Sequence, residues 1–486
     1  MFRLFTSALC IWGVLGSSAA TGAPEGITER ELTRDDAVAV ATKNNLGLML
    51  DAVDREVQSL VARTARRPFV PQLGFNTSYN VDPVIDATSV NYSGRVDWNI
   101  PFGTNFNIQA GSAQFLRGQA FIPTPPTSLD FGVTQPLLRD GWGRGNLLEQ
   151  RDLEVELQRE LFLEQLNQFI VQVDLAYWDL AFAQSDVQIK ERSLERARRQ
   201  YEDTAENIRR GLLAPGEIFV PEENLVVFEQ QLLTSQQTLT LARSRLARLL
   251  RVSPTSELVA VDSLDVLGAA PLELGRQTDA ALRKNPRVAA QRVALEQAEI
   301  QVVFERNQRA PRLDASGSVG FNALSPRDEL GNIIPISAGE AWLQTLSLQN
   351  PEYRVGLTFQ IPLNFDPLDA QLERAELQQK RQWTRLRDVE DDVRYGMRDL
   401  LVQLDTSLDV LELATRRVAL VQSRLTNEQD KYRSGLSTLL EVVRAQRAID
   451  DAQLGERRAR VNVLQIRARI RSLEGTLYER AGVTVR

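Results

Sequence analysis

The chain has 486 residues, of which 43% are hydrophobic and 25% charged, with a formal net charge of −7, one cysteine and no histidine. It is too apolar for a disordered chain, and without histidine it has no imidazole base, histidine triad or histidine metal ligand. The acidic balance argues against nucleic acid as a partner, and no catalytic, cofactor or metal site is expected.

Residues 1–23 open with Arg3, pass through a short apolar run and end in small residues, the pattern of a secretory signal peptide. The run is too short to span a bilayer, and Cys10 lies inside it, so the mature chain is expected to have no cysteine. Later in the sequence no stretch of about 18 apolar residues predicts a transmembrane helix.

Two related halves follow, 24–270 and 271–486. Lys43-Asn44 matches Lys284-Asn285, Pro71-Gln72-Leu73 matches Pro311-Arg312-Leu313, and Arg210-Gly211-Leu212 matches Ser434-Gly435-Leu436. In each half the pattern predicts a helix (about 33–66 and 278–309), then strands (73–137 and 313–362), then a long proline-free helix (about 146–210 and 368–433). At 1.5 Å per residue the long helices reach roughly 100 Å. A tight turn near 211 or 435 leads to a returning helix (217–251 and 437–478). Leu225, Phe228, Leu232, Ser235, Leu239, Ala242, Leu246 and Leu249 repeat every seven residues, as packed helices require. The matching seam from Ile449 to Leu473 is interrupted only by Glu456. The acidic pairs Asp391-Asp392 and Asp450-Asp451 cannot share a helix face and are read as solvated.

The strand segments alternate strictly. Leu73, Phe75, Thr77, Tyr79 and Val81 alternate with Gly74, Asn76, Ser78, Asn80 and Asp82, and Val90 to Ile100 does the same. An aromatic-rich apolar face opposite a polar one suits a transmembrane β-barrel, and a sandwich with one wet face gives the same alternation. If these strands cross a membrane, the four to six available are too few to close alone, so copies must pool them. The loops 116–127 and 323–352 are then expected outside.

Gln135-Pro136-Leu137-Leu138 at the strand exit, and the stretch from Tyr432-Arg-Ser-Gly-Leu to Ala452-Gln453, carry a family likeness. The chain resembles the outer membrane efflux proteins, the TolC-like channels of Gram-negative bacteria, over its mature length. The resemblance implies a mainly α fold with a transmembrane β part. A homotrimer would share a twelve-stranded outer-membrane barrel, about four strands per protomer, continued by a long periplasmic α-helical barrel. Residues 252–277 and the C-terminal tail are candidates for a mixed belt around the helices. The implied role is a passive exit duct for small molecules, without a cofactor, joined through a periplasmic adaptor protein to an inner-membrane pump. A duct for type I protein secretion is the near alternative, and a structural coiled-coil envelope protein the distant one.

By the same resemblance, adaptors dock at Arg210-Gly211-Leu212 and Ser434-Gly435-Leu436, and Glu441 and Arg444 narrow the entrance. Glu217 and Tyr432 would latch it, with Arg433 substituting for an arginine absent at Ser437. Asn91, Arg95, Asp97 and Asn107 are expected to line the bore. The 90–110 hairpin is read as an extension beyond two membrane crossings in the first half.

Overall fold

The computed structural model describes residues 29–82, 87–117, 125–264 and 273–480. The expected signal peptide and most of the 116–127 loop lie outside these. In the first half β1 (Glu29–Leu32) leads to α1 (Arg34–Asn44) and α2 (Leu46–Thr64). Next come β2 (Gln72–Asp82), β3 (Ala87–Asn99), β4 (Asn105–Arg117) and β5 (Thr127–Pro136), then α3 (Leu148–Arg209) and α4 (Phe219–Leu250). The second half runs β6 (Glu257–Ala260), α5 (Leu274–Lys284), α6 (Pro286–Gln308), β7 (Arg312–Asn322), α7 (Ala338–Leu346), β8 (Pro351–Gln360), α8 (Asp366–Arg433), α9 (Leu439–Leu473) and α10 (Leu477–Arg480).

The single helices expected over 33–66 and 278–309 are each broken in two. Asn45 and Asn285 take extended backbone conformations. Their side-chain oxygens accept from the amides of Leu48 and Arg287, so each asparagine ends one helix and caps the next. The long helices are uninterrupted: α3 has 62 residues and α8 has 68, about 93 and 102 Å at the standard rise.

The chain divides into two compact units. One comprises the residues up to Ala52, with Leu161–Val288 and Glu390–Arg486. Its core is built on α3, where Leu166, Ile170, Val173, Tyr177 and Leu180 follow four-three spacing and are almost fully buried. On α4 and α9 the predicted seams are inward: Phe228, Ser235 and Leu246 on one, Ile449, Ala452, Ala459, Val463, Ile466 and Ile470 on the other. The exception, Glu456, is kept half-buried by an ion pair with Arg460 at 2.7 Å. Asp450, read as solvated, is instead 2% exposed. Its place beside seam residue Ile449 turns it onto α3, where Ser193 donates to it at 2.6 Å and Arg196 pairs with it at 2.5 Å. Burial pushes its carboxyl up, opposed by those two partners.

In the same unit β1 and β6 form a parallel pair; β6 lies inside the 252–277 stretch expected to supply a belt, and its partner β1 lies outside it. A buried polar network ties this pair to the helices. The Arg34 guanidinium grips Asp174 with two bonds of 2.9 and 2.8 Å. The Tyr177 hydroxyl donates to Asp262 at 2.8 Å, and Asp262 also accepts from the Arg34 amide at 2.6 Å. Burial raises the Asp174 carboxyl above its usual range against the pull of Arg34.

The other unit, Val53–Glu160 with Ala289–Val389, holds one antiparallel sheet of six strands in the order β2-β3-β4-β5-β7-β8. The expected four strands are therefore six. The supposed extension over 90–110 is two full members, β3 and β4, each of 13 residues against 11 in β2. The reversal between them is tight because Gly103 adopts φ +101°, where an added Cβ would sit 2.5 Å from the Asp140 carbonyl oxygen. Both strands can thus run the full height of the sheet.

Candidate functional site

Strand register makes the sheet two-faced. Leu73 lies opposite Val96, Val96 opposite Ile108, Ile108 opposite Phe131, Phe131 opposite Val319 and Val319 opposite Tyr353. One residue along, the row reads Gly74, Arg95, Gln109, Asp130, Gly320 and Glu352. Because side chains alternate between faces, one surface is apolar across six strands and the other is polar. Asn91, Arg95, Asp97 and Asn107, the expected bore residues, share the polar face, and Arg95 pairs with Asp97 at 2.6 Å.

Among the described residues the sheet is open at both edges. On β2 Leu73 is 81% and Phe75 75% exposed, and on β8 Val355 is 91% exposed, against 41% for Ile108 and 37% for Phe131 inside the sheet. With six antiparallel strands, β2 and β8 run in opposite directions, so β8 of one copy can pair antiparallel with β2 of the next. A second unsatisfied surface lies on α2, where Leu46, Leu50, Val53, Val57 and Leu60 follow four-three-four-three spacing. All five are at least 46% exposed, an apolar seam without a partner among the described residues.

The two hairpin tips share one backbone device. Gly211 and Gly435 both adopt φ +72°. The amides of Leu212 and Leu436 reach back to the carbonyls of Asn207 and Lys431 at 2.9 and 2.8 Å, and those of Gly211 and Gly435 to Ile208 and Tyr432. This is the Schellman closure of a helix by a left-handed glycine. It leaves Leu212 and Leu436 pointing outward, 68% and 79% exposed. Arg210 pairs with Glu206 at 2.9 Å, while Ser434 caps back onto the Asp430 carbonyl. Glu428 braces the second tip from Lys431 and Ser437, which hold its carboxyl below the usual range.

Glu441 and Arg444 come together in a 2.6 Å ion pair one helical turn apart. Glu217 stands in a short turn, Pro215–Ile218, and no hydrogen bond joins it to Tyr432 among the described residues. Arg433 pairs with Asp430 at 3.3 Å.

Residues 278–476 match the outer membrane efflux protein family. No curated protein matches the sequence. Solved structures do resemble the fold. The outer-membrane channel OprN is 18% identical over 91% of this chain and 89% of its own, with a TM-score of 0.63. CusC, solved for its folding and transmembrane channel formation, is 15% identical over 97% and 96%, TM-score 0.63. The open-state outer membrane channel MtrE of Neisseria gonorrhoeae is 16% identical over 91% and 88%, also at 0.63. The family match lies in the second half of the chain, and the fold of nearly the whole chain is the TolC-like fold of these channels.

Three features of this chain escaped sequence reading. The Arg34–Asp174 grip joins residues 140 positions apart, and no spacing rule connects them. The α2 seam carried a readable heptad signal, obscured by Met49 and Val61 beside it. Helix α7 was announced by Ser337 and Glu340, whose capping-box spacing lies inside a segment read as loop.

Proposed function

We propose that the chain is an outer membrane efflux protein, and that three copies form the passive exit duct of a tripartite pump that carries small molecules across the periplasm and outer membrane. The observation that carries this reading is the six-stranded sheet with one apolar face, one polar face and two open edges. Unpaired edges cannot face lipid, whereas edge-to-edge joining of copies abolishes them. The exposed α2 seam supports the same association. Three copies supply eighteen strands rather than the twelve that the resemblance implies, with the polar face turned to the bore.

The twin tips, Arg210-Gly211-Leu212 and Ser434-Gly435-Leu436, are the docking points for a periplasmic adaptor, which couples the duct to an inner-membrane pump. The exposed leucines offer apolar contacts on a rigid turn. Glu441 and Arg444 form the entrance ring, and their pairing makes it electrically mixed. Glu217 and Tyr432 latch the entrance when the assembled channel closes. Energy is spent at the pump, so the duct needs no cofactor. Purified protein reconstituted in planar bilayers should give discrete conductance steps, and Tyr432→Phe should raise them. Absence of conductance from a correctly folded oligomer would overturn the proposal, and an unchanged step size in the variant would remove the latch.

A further inference from the structure

We infer that α7 is a lipid-contacting helix, lying on the outer face of the sheet and burying Leu343 and Leu346 among acyl chains of the membrane's outer leaflet. The inference rests on the reading of the sheet as a membrane wall. From Ile333 to Leu348 the chain carries a single charge, Glu340. That carboxylate is engaged at the helix start, where it accepts from the Ser337 amide at 2.8 Å while the Ser337 hydroxyl accepts from the Glu340 amide.

The register places α7 on the apolar face. Trp342 donates to the Tyr92 hydroxyl at 3.3 Å. Tyr92 pairs with Thr77 on one side and Ser112 on the other, and Ser112 pairs with Thr127. This row is the hydroxyl-bearing interruption of an otherwise apolar surface. Ser112 and Thr127 are only 6% and 3% exposed although Phe131 and Val133, nearby on the same face, stay above a third. Helix α7 packs on β5 and β7, and Ala341 and Thr345 are fully buried. The helix therefore roofs the Ser112–Thr127 hydroxyls.

Its outward side continues the apolar wall: Leu343 is 71% and Leu346 58% exposed. A neighbouring copy is not the occupant, because α7 sits over the interior of the sheet while copies meet at β2 and β8. A tryptophan at the polar end of an apolar wall is also the residue type enriched at bilayer interfaces. Lipid is the medium that fits both the leucines and the missing charge.

The experiment uses the full mature chain in lipid nanodiscs. Since Cys10 lies in the expected signal peptide, Leu343→Cys, Leu346→Cys and Val133→Cys each introduce one thiol for a nitroxide label. Power-saturation measurements then compare collision with lipid-soluble oxygen and with an aqueous nickel chelate. The expected result is loss of nickel accessibility at 343 and 346, matching the Val133 control on the wall. Strong nickel collision at 343 and 346 with a lipid-protected Val133 label would place α7 in water and overturn the inference. Labels at 343 and 346 shielded from both reagents would show a protein contact and overturn it as well. Nickel access at Val133 would instead bring down the membrane wall, and this inference with it.

Discussion

The α2 seam makes a quantitative prediction about assembly. Leu46, Leu50, Val53, Val57 and Leu60 are 54%, 65%, 58%, 47% and 46% exposed in the single chain. Full burial of such a side chain contributes about 1.5–3 kcal/mol, so burying the exposed half of each contributes about 1 kcal/mol, or roughly 5 kcal/mol per interface. Leu50→Glu with Val57→Glu removes about 2 kcal/mol of this. It also forces two carboxylates toward an apolar seam, at a further cost of several kcal/mol. The sum, roughly 5 kcal/mol per interface, weakens association by more than about three orders of magnitude. Native mass spectrometry of detergent-purified protein should show the proposed trimer for the unaltered chain and monomer for the double glutamate variant, and Leu50→Ile with Val57→Ile should keep the trimer. A double glutamate variant that retains trimer mass at the same dilution would refute the assignment of this seam to the copy–copy interface.

Three other outcomes follow from the geometry. Removing residues 83–117 excises β3 and β4 and lets β2 pair directly with β5. At about 4.8 Å per strand and a tilt near 40°, the proposed barrel of three copies should shrink from about 36 Å to about 24 Å across, measurable in end-on electron cryo-microscopy averages. Gly435→Ala meets no atom within 4 Å, so its cost is the left-handed backbone alone, about 1 kcal/mol. Hydrogen exchange should accelerate at 431–441 and nowhere else, less so for Gly435→Asn. Arg34→Ala leaves Asp174 buried without its partner and should cost about 3 kcal/mol at neutral pH. Because burial raises the folded pKa of Asp174, the folded variant binds a proton more readily than the unfolded chain. Its deficit should therefore narrow as pH falls, read as a smaller difference in thermal midpoint at pH 5 than at pH 7.

Much of this architecture was legible because it is periodic. Two-residue alternation fixed the faces of β2 and β3 before any pairing was known, and the four-three seam of α4 and α9 fixed their buried sides. Strand number was not legible in the same way. An even count is demanded when both flanking helices lie on one side, and two or four strands in the first half satisfy that equally. Only the pairing of β3 and β4 along their whole length decides it. The helix breaks at Asn45 and Asn285 were hidden because apolar periodicity continues across them, although Pro286 marked the second. Asp450 was misjudged because its neighbour Asp451 is exposed, and adjacent residues on a helix point about 100° apart. The tip glycines were legible as turns, but the 207–212 and 431–436 closures that make the two turns alike need coordinates.

The β3–β4 hairpin has an evolutionary corollary. A hairpin enters and leaves at the same end of the sheet, so its insertion preserves the direction of both outer edges and the attachment of every helix. Girth is then a heritable dimension that one in-frame insertion or loss can reset, leaving the long helices and their hairpin tips undisturbed.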